Sequence, residues 1–380
     1  MGEMIRYDYN RDKLKIRRKY VFNKDIIIFL VIIAVVVGKV ARWNFSGGLT
    51  DRSIGRGFLN EILYGDTKFS LWDLDETSNS AGGNAVFLFR AINVFRLTTF
   101  EQFEIYVSII GNLLLSYYIS ISKRYWSILN VTFILLLTLI LNIFALTLSK
   151  EPIQMLTFLA LYFVFSRQKN TDKSIRISVI VVYFLSCVLF RSYFIFAVFY
   201  FIALELSSFV FKEKKYRILL TIILLIVSSY IMLQLMEIVS PSTYAKLFNL
   251  RSNTRAAKWN TGLTNIFSGL SRNPLLLTFD YVQIFIRLFF PFEILVKSTR
   301  TALIMNVALL IYRLILTYIL IKFSKTTSSS SKNSICLNTY LAFVFTSVLF
   351  EPDMGSWARH ESVAFPLLLL IAGIVEQKRT

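Results

Sequence analysis

The segment Glu351-Pro352-Asp353-Met354-Gly355-Ser356-Trp357-Ala358-Arg359-His360-Glu361 gathers three carboxylates, the chain's single histidine, an arginine and a tryptophan between two apolar runs. A carboxylate or imidazole beside a dehydrated basic site can take a proton from a hydroxyl. His360 and Asp51 lead as candidate bases, followed by Glu351, Asp353 and Glu361. The same composition also suits a solvated loop with an internal ion pair. Basic residues recur in the segments between other apolar runs: Arg42, Lys150, Arg191, the cluster Arg251, Arg255 and Lys258, and Arg359. Each alone fits a side chain snorkelling to a membrane interface. Together they fit forked, charge-assisted hydrogen bonds to a phosphate or pyrophosphate, with Arg42, Lys150, Arg191, Arg255 and Arg359 as the expected binding set. Asp73-Leu74-Asp75-Glu76 is a D-x-D that could hold a divalent cation with phosphates. Because arginines can neutralise pyrophosphate without help, no metal and no other cofactor is expected.

The elements that must position these groups are membrane helices. Of 380 residues, 55% are hydrophobic and only 17% charged, against the roughly 25% usual in soluble domains. This composition excludes a soluble globule, and 14 Gly with 6 Pro are too few for the turns of a β-barrel. Cys187 and Cys336 both lie in apolar runs, so neither a disulfide framework nor a CxxC metal site can be built. Ten candidate spans follow: 26 to 40, 103 to 121, 127 to 148, 153 to 166, 177 to 190, 192 to 211, 218 to 238, 302 to 321, 335 to 350 and 363 to 375. With a cytoplasmic N-terminus, the inner segments carry 23 Lys/Arg in 63 residues and the outer segments 17 in 142. That is the positive-inside asymmetry, and it explains most of the +19 net charge without nucleic acid. No cleavable signal peptide is expected, since a polar stretch precedes the first span.

Basic flanks on both sides of 177 to 211 call for a hairpin with Arg191 at its apex, although no Gly, Pro or Asn supplies turn chemistry there. Spans near 14 residues fall short of a hydrocarbon layer of about 30 Å. Lys150, Glu151 and Arg191 would then line a recess opening outward. The domain reading is a basic cytoplasmic N-terminus, 1–24, and one transmembrane domain, 25–380. Its outer loops are 41–102, 239–301 and 351–362. Arg90, Asn93 and Arg96 in the first loop, and Asp280, Gln283 and Arg287 in the second, read as amphipathic helices at the outer interface. Trp43, Trp72, Trp259 and Trp357 suit an aromatic belt or sugar-stacking platforms. Arg313 is an exceptional charge near the centre of a span.

Four short pieces resemble the Wzy-type polysaccharide repeat-unit polymerases, in particular their EpsG-like branch. They are Gly47-Gly48-Leu49-Thr50-Asp51 after Arg42, Ser149-Lys150-Glu151-Pro152-Ile153-Gln154, Phe190-Arg191-Ser192-Tyr193, and the 351–361 segment. Arg52 stands where the family usually has Tyr after the aspartate. The resemblance implies a GT-C-like, all-α polytopic membrane glycosyltransferase. Such an enzyme joins polyprenyl-pyrophosphate-linked oligosaccharide donor and acceptor on the outer face of the bacterial cytoplasmic membrane. Exopolysaccharide, capsule or O-antigen would be the product, with a flippase and chain-length regulator of the same pathway as partners. A pyrophosphate-activated donor needs no nucleotide, in keeping with the lack of a P-loop or G-x-G-x-x-G in the sequence. An O-antigen ligase or another glycosyltransferase with a lipid-linked donor fits similarly. A transporter or flippase of an anionic lipid-linked glycan is a further alternative, one that wants charge near span midplanes.

Overall fold

The computed structural model describes residues 21–44, 52–65, 83–121, 126–167, 170–190, 193–210, 214–239, 273–296, 300–326, 330–350 and 354–377, with isolated positions between 241 and 248. Long uncharged runs close their backbone hydrogen bonds within the segment, so nearly every element is a helix. In chain order these are α1 (Lys24–Asn44), α2 (Arg52–Tyr64), α3 (Gly83–Ile92), α4 (Phe100–Ile121) and α5 (Ile128–Ile140). A π-helical turn, Leu141–Ala145, continues α5. Then follow α6 (Glu151–Ser166), α7 (Asp172–Leu189), α8 (Phe194–Val210), α9 (Lys214–Val239), α10 (Pro274–Phe289), α11 (Glu293–Val296), α12 (Arg300–Ser324), α13 (Ser331–Phe350), α14 (Met354–Ser362) and α15 (Phe365–Gln377). A two-residue antiparallel pair, β1 (Val21–Phe22) with β2 (Trp126–Ser127), ties the start of α1 to the start of α5. Glu376 near the end of α15 accepts from Ser127 Oγ at 2.8 Å and from Asn130, so three chain segments share that end of the bundle.

The burial pattern is that of a multi-pass membrane protein. On α1, Ile26, Phe29, Ile33, Val36, Val37 and Val40 face outward, while Ile27 and Val31 pack inside. Only 22% of that span is buried, against 72% of the Ser331–Phe350 span, so α1 is peripheral and α13 central. Tyr183 on α7 donates to Thr339 O on α13 at 2.7 Å, and aromatic rings of α8 and α10 (Tyr200, Phe285) pack on Phe345 of α13.

Several sequence expectations change here. Among the described residues, five helices are long and apolar enough to cross a membrane, or six if α14 and α15 form one span bent by 76°. Ten was the expectation. The apolar stretches Glu151–Ser166, Phe194–Ser208 and Leu225–Ile238 form shorter helices, and 16 residues rise only about 24 Å. The two helices expected of the 177 to 211 hairpin are α7 and α8, which pack against each other; Arg191 lies outside the described residues. Residues 354–362 are helical and largely buried rather than a solvated loop, because polar partners inside the bundle receive them. In the first loop the helix ends at Ile92, and Arg96 adopts φ 52° in the turn beyond it. Arg90 instead reaches Ile62 O, Glu61 O and Gly65 O at the end of α2, where helix carbonyls lack internal donors. On α10, Asp280 is buried while Phe279 and Ile286 are exposed, the reverse of an interfacial helix with its polar face in water.

Candidate functional site

Helix α14 carries Trp357, Arg359, His360 and Glu361, and what surrounds it explains why so polar a segment lies inside. Arg313 stands mid-way along α12 and is fully buried. Its Nη1 donates to Glu361 Oε2, its Nε donates to Leu288 O at 3.2 Å, and its guanidinium lies 3.7 Å from the Trp357 ring centroid and 4.9 Å from that of Phe289. Tyr340, at the middle of α13, donates to the other Glu361 oxygen. Taking an arginine and a carboxylate out of water costs several kcal/mol per ion, which only close pairing with further hydrogen bonds offsets. The arginine, the carboxylate, the tyrosine hydroxyl and two aromatic faces supply that pairing across α10, α12, α13 and α14. Glu361, expected as a candidate base, thus has both oxygens engaged. Trp357, expected as a belt or sugar platform, is the floor under Arg313.

On the neighbouring side α14 meets the start of α6. Glu151 Oε1 lies 3.4 Å from Arg359 Nε and 3.7 Å from His360 Nε2. His360 Nδ1 is 3.3 Å from Gln154 Oε1. Glu151, Gln154 and His360 are buried. Arg359 is half-buried, its side chain 35% exposed, and Lys150 at the helix start is intermediate. Pro152 suits the first turn of α6, where its missing N–H is no loss. Glu151 and Gln154, three positions apart, then share one helix face and reach α14 together. Two segments distant in the chain, 151–154 and 359–360, so form one carboxylate-centred group.

A third cluster lies where α1 and α4 meet the π turn. Arg42 donates through Nε to Glu104, through Nη1 to Ile143 O at 2.7 Å and through Nη2 to Thr147 Oγ1 at 2.8 Å. Lys39 Nζ donates to Leu146 O at 2.7 Å, as does Ser108 Oγ at 3.1 Å. Asn112 and Asn142 exchange amide hydrogen bonds of 2.8 and 2.9 Å. The π turn and the bends after it leave carbonyls without helical donors, and cations on α1 receive them. Arg42, expected on pyrophosphate, is committed to this internal joint.

Of the expected site residues, Arg359 and His360 come together at Glu151, Lys150 precedes that carboxylate at the start of α6, Glu361 adjoins them as a support, and Arg42 belongs to the joint. Asp51, Arg191, Arg255, Glu351 and Asp353 lie outside the described residues, as do the 73–76 D-x-D, Arg251 and Lys258. Sequence reasoning missed Gln154, Lys39 and Glu104, and saw Arg313 without its partner. An isolated charge within an apolar run was the available signal, since it demands an opposite charge from elsewhere in the chain. Among the described residues no group of three or more His, Cys, Asp or Glu side chains could hold a metal ion. No protein-family model matches the chain, and neither the curated proteins nor the solved structures contain a match to it.

Proposed function

We propose that the chain is a membrane glycosyltransferase that polymerises lipid-pyrophosphate-linked oligosaccharide units on the outer face of the bacterial cytoplasmic membrane. The observation that carries this reading is the meeting of Arg359 and His360 at Glu151, beside Lys150 at the start of α6. Two groups able to bear positive charge flank one carboxylate, and Lys150 precedes it in the chain, so the group suits an anionic ligand. In the reaction the acceptor oxygen bonds to the anomeric carbon of the donor sugar. The bond from that carbon to the pyrophosphate oxygen breaks, and the pyrophosphate leaves with the electron pair. Arg359 and Lys150 are suited to stabilise that developing charge. The acceptor hydroxyl loses its proton to a base among His360, Asp51, Glu351 and Asp353. Glu361, tied to Arg313 and Tyr340, keeps α14 in place instead. A GT-C-like arrangement and further short spans completed by α6 to α9 belong to the same proposal.

The test is incubation of the purified protein in vesicles with a polyprenyl-pyrophosphate oligosaccharide, read on a gel. A ladder of lengths is expected, and folded protein giving no ladder would overturn the polymerase. A single transfer to a different acceptor would point to a ligase. The Arg313–Glu361 pair favours one second reading, transport, because charges at mid-helix often mark ion or substrate paths. Movement of the lipid-linked glycan between leaflets without chain growth would establish it.

A further inference from the structure

His360 has an oxygen on each side of its ring: Gln154 Oε1 is 3.3 Å from Nδ1 and Glu151 Oε1 is 3.7 Å from Nε2. A neutral imidazole can donate from only one nitrogen, and its other nitrogen would turn a lone pair toward an oxygen. An imidazolium donates from both. We propose that Glu151 and Gln154 hold His360 as an imidazolium, making it a second cation beside Arg359 rather than the base.

The other charges near His360 are compatible with this. On its own helix, Arg359 shares Glu151, and Glu361 is occupied by Arg313 and Tyr340. The π turn and α5, which also pack on α14, bring no titratable side chain, and α13 brings Tyr340. Gln154 is 1% exposed, and in this orientation its buried Nε2 has no acceptor among the described residues; the same is true of Arg359 Nε by hydrogen-bond geometry. Donors without acceptors beside an imidazolium suit a ligand rich in oxygen and negative charge, as a pyrophosphate is. Reversing the Gln154 amide would instead offer an N–H to Nδ1 and leave the ring neutral, with Nε2–H toward Glu151. The two arrangements differ by one proton on His360, so the charge of the ring decides between them.

The catalytic consequence rests on the glycosyl-transfer reading, whereas the charge state does not. If His360 is already protonated, the acceptor hydroxyl's proton must pass to a carboxylate, which leaves Asp51, Glu351 and Asp353 as bases. Gln154 is then a positioning residue, acting through the ring it holds.

Because the chain has one histidine, protein labelled with 15N-histidine and purified through a histidine-free tag gives the signals of this ring alone. At neutral pH both nitrogens should appear protonated. Glu151→Gln and Gln154→Leu should each yield a neutral ring with one unprotonated nitrogen, while Gln154→Glu should keep the cation. A neutral ring in the unsubstituted protein would overturn the proposal, and that measurement suffices even if the variants fail to fold. No substrate is involved, so a neutral ring would leave the glycosyl-transfer reading untouched. Failure to make polymer would in turn leave the charge state standing.

Discussion

A buried charge is tolerated only while its counter-charge is present, and Arg313 with Glu361 makes that condition measurable. Removing one partner, by Arg313→Met or Glu361→Gln, should destabilise the folded protein by about 3–5 kcal/mol, as an orphaned buried charge does. The double variant Arg313→Met/Glu361→Gln should recover a large part of that loss in a thermal-unfolding measurement in detergent. Single losses that simply add up in the double variant would show that the pair does not interact. Arg359 calls for a different test, because its side chain is partly exposed and faces Glu151 rather than a closed set of partners. A site that merely needs positive charge accepts lysine, whereas a phosphate gripped by a planar fork does not. Arg359→Lys should therefore lower polymer formation on the order of 10²-fold with membrane insertion unchanged, corresponding to loss of a transition-state contact of about 3 kcal/mol. Near-normal activity would return Arg359 to an anchoring role.

At the scale of elements, the joint between α1, α4 and the π turn depends on two glycines. A Cβ on Gly111 would fall 2.3 Å from Leu146 Cδ2, and one on Gly38 would fall 2.9 Å from Asn142 Cβ and 3.3 Å from Leu139 O. Leu146 can swing its flexible end away, while at Gly38 the obstacles are a Cβ and backbone. Gly111→Ala should accordingly be mild and be rescued by Leu146→Ala. Gly38→Ala should cost more, since relief requires α1 and α5 to part; the yield of monodisperse protein compares them. Hydropathy made the helices legible in the sequence. The stretches 26 to 40, 103 to 121 and 335 to 350 all fall inside helices, and opposed basic flanks called for the α7–α8 hairpin. What hydropathy could not give was the fate of 351–361. A segment so polar reads as water-facing until Arg313 of α12 is known to await Glu361. The same blindness hid the use of Arg42, whose backbone acceptor, Ile143 O, lies in the π turn into which the helix loosens after Ile140.

For the whole molecule, orientation is the statement on which the outer-face chemistry depends. The shared end formed by the starts of α1 and α5 and the finish of α15 should be cytoplasmic, given the basic residues that flank those termini in the sequence. A single cysteine placed within 322 to 334 should resist a membrane-impermeant thiol reagent applied to spheroplasts. One placed within 239 to 301 should react, and the reverse pattern would put the Glu151 group on the wrong side for lipid-linked donors flipped outward.

The packing of α14 on the π turn also sets an order of events during synthesis. The α5–α6 connection, buried from Leu141 to Leu148, leaves the ribosome long before the helix that covers it. Arg313 likewise enters the membrane before Glu361 exists to neutralise it. The connection must wait on early partners such as Arg42 and Lys39, and Arg313 within the insertion machinery, until the C-terminal helices arrive. A chain stopped before Met354 should insert its earlier spans yet present an unpaired arginine to quality-control proteases. Its half-life in pulse-chase labelling should be much shorter than that of the full chain, and Arg313→Leu in the truncated chain should lengthen it.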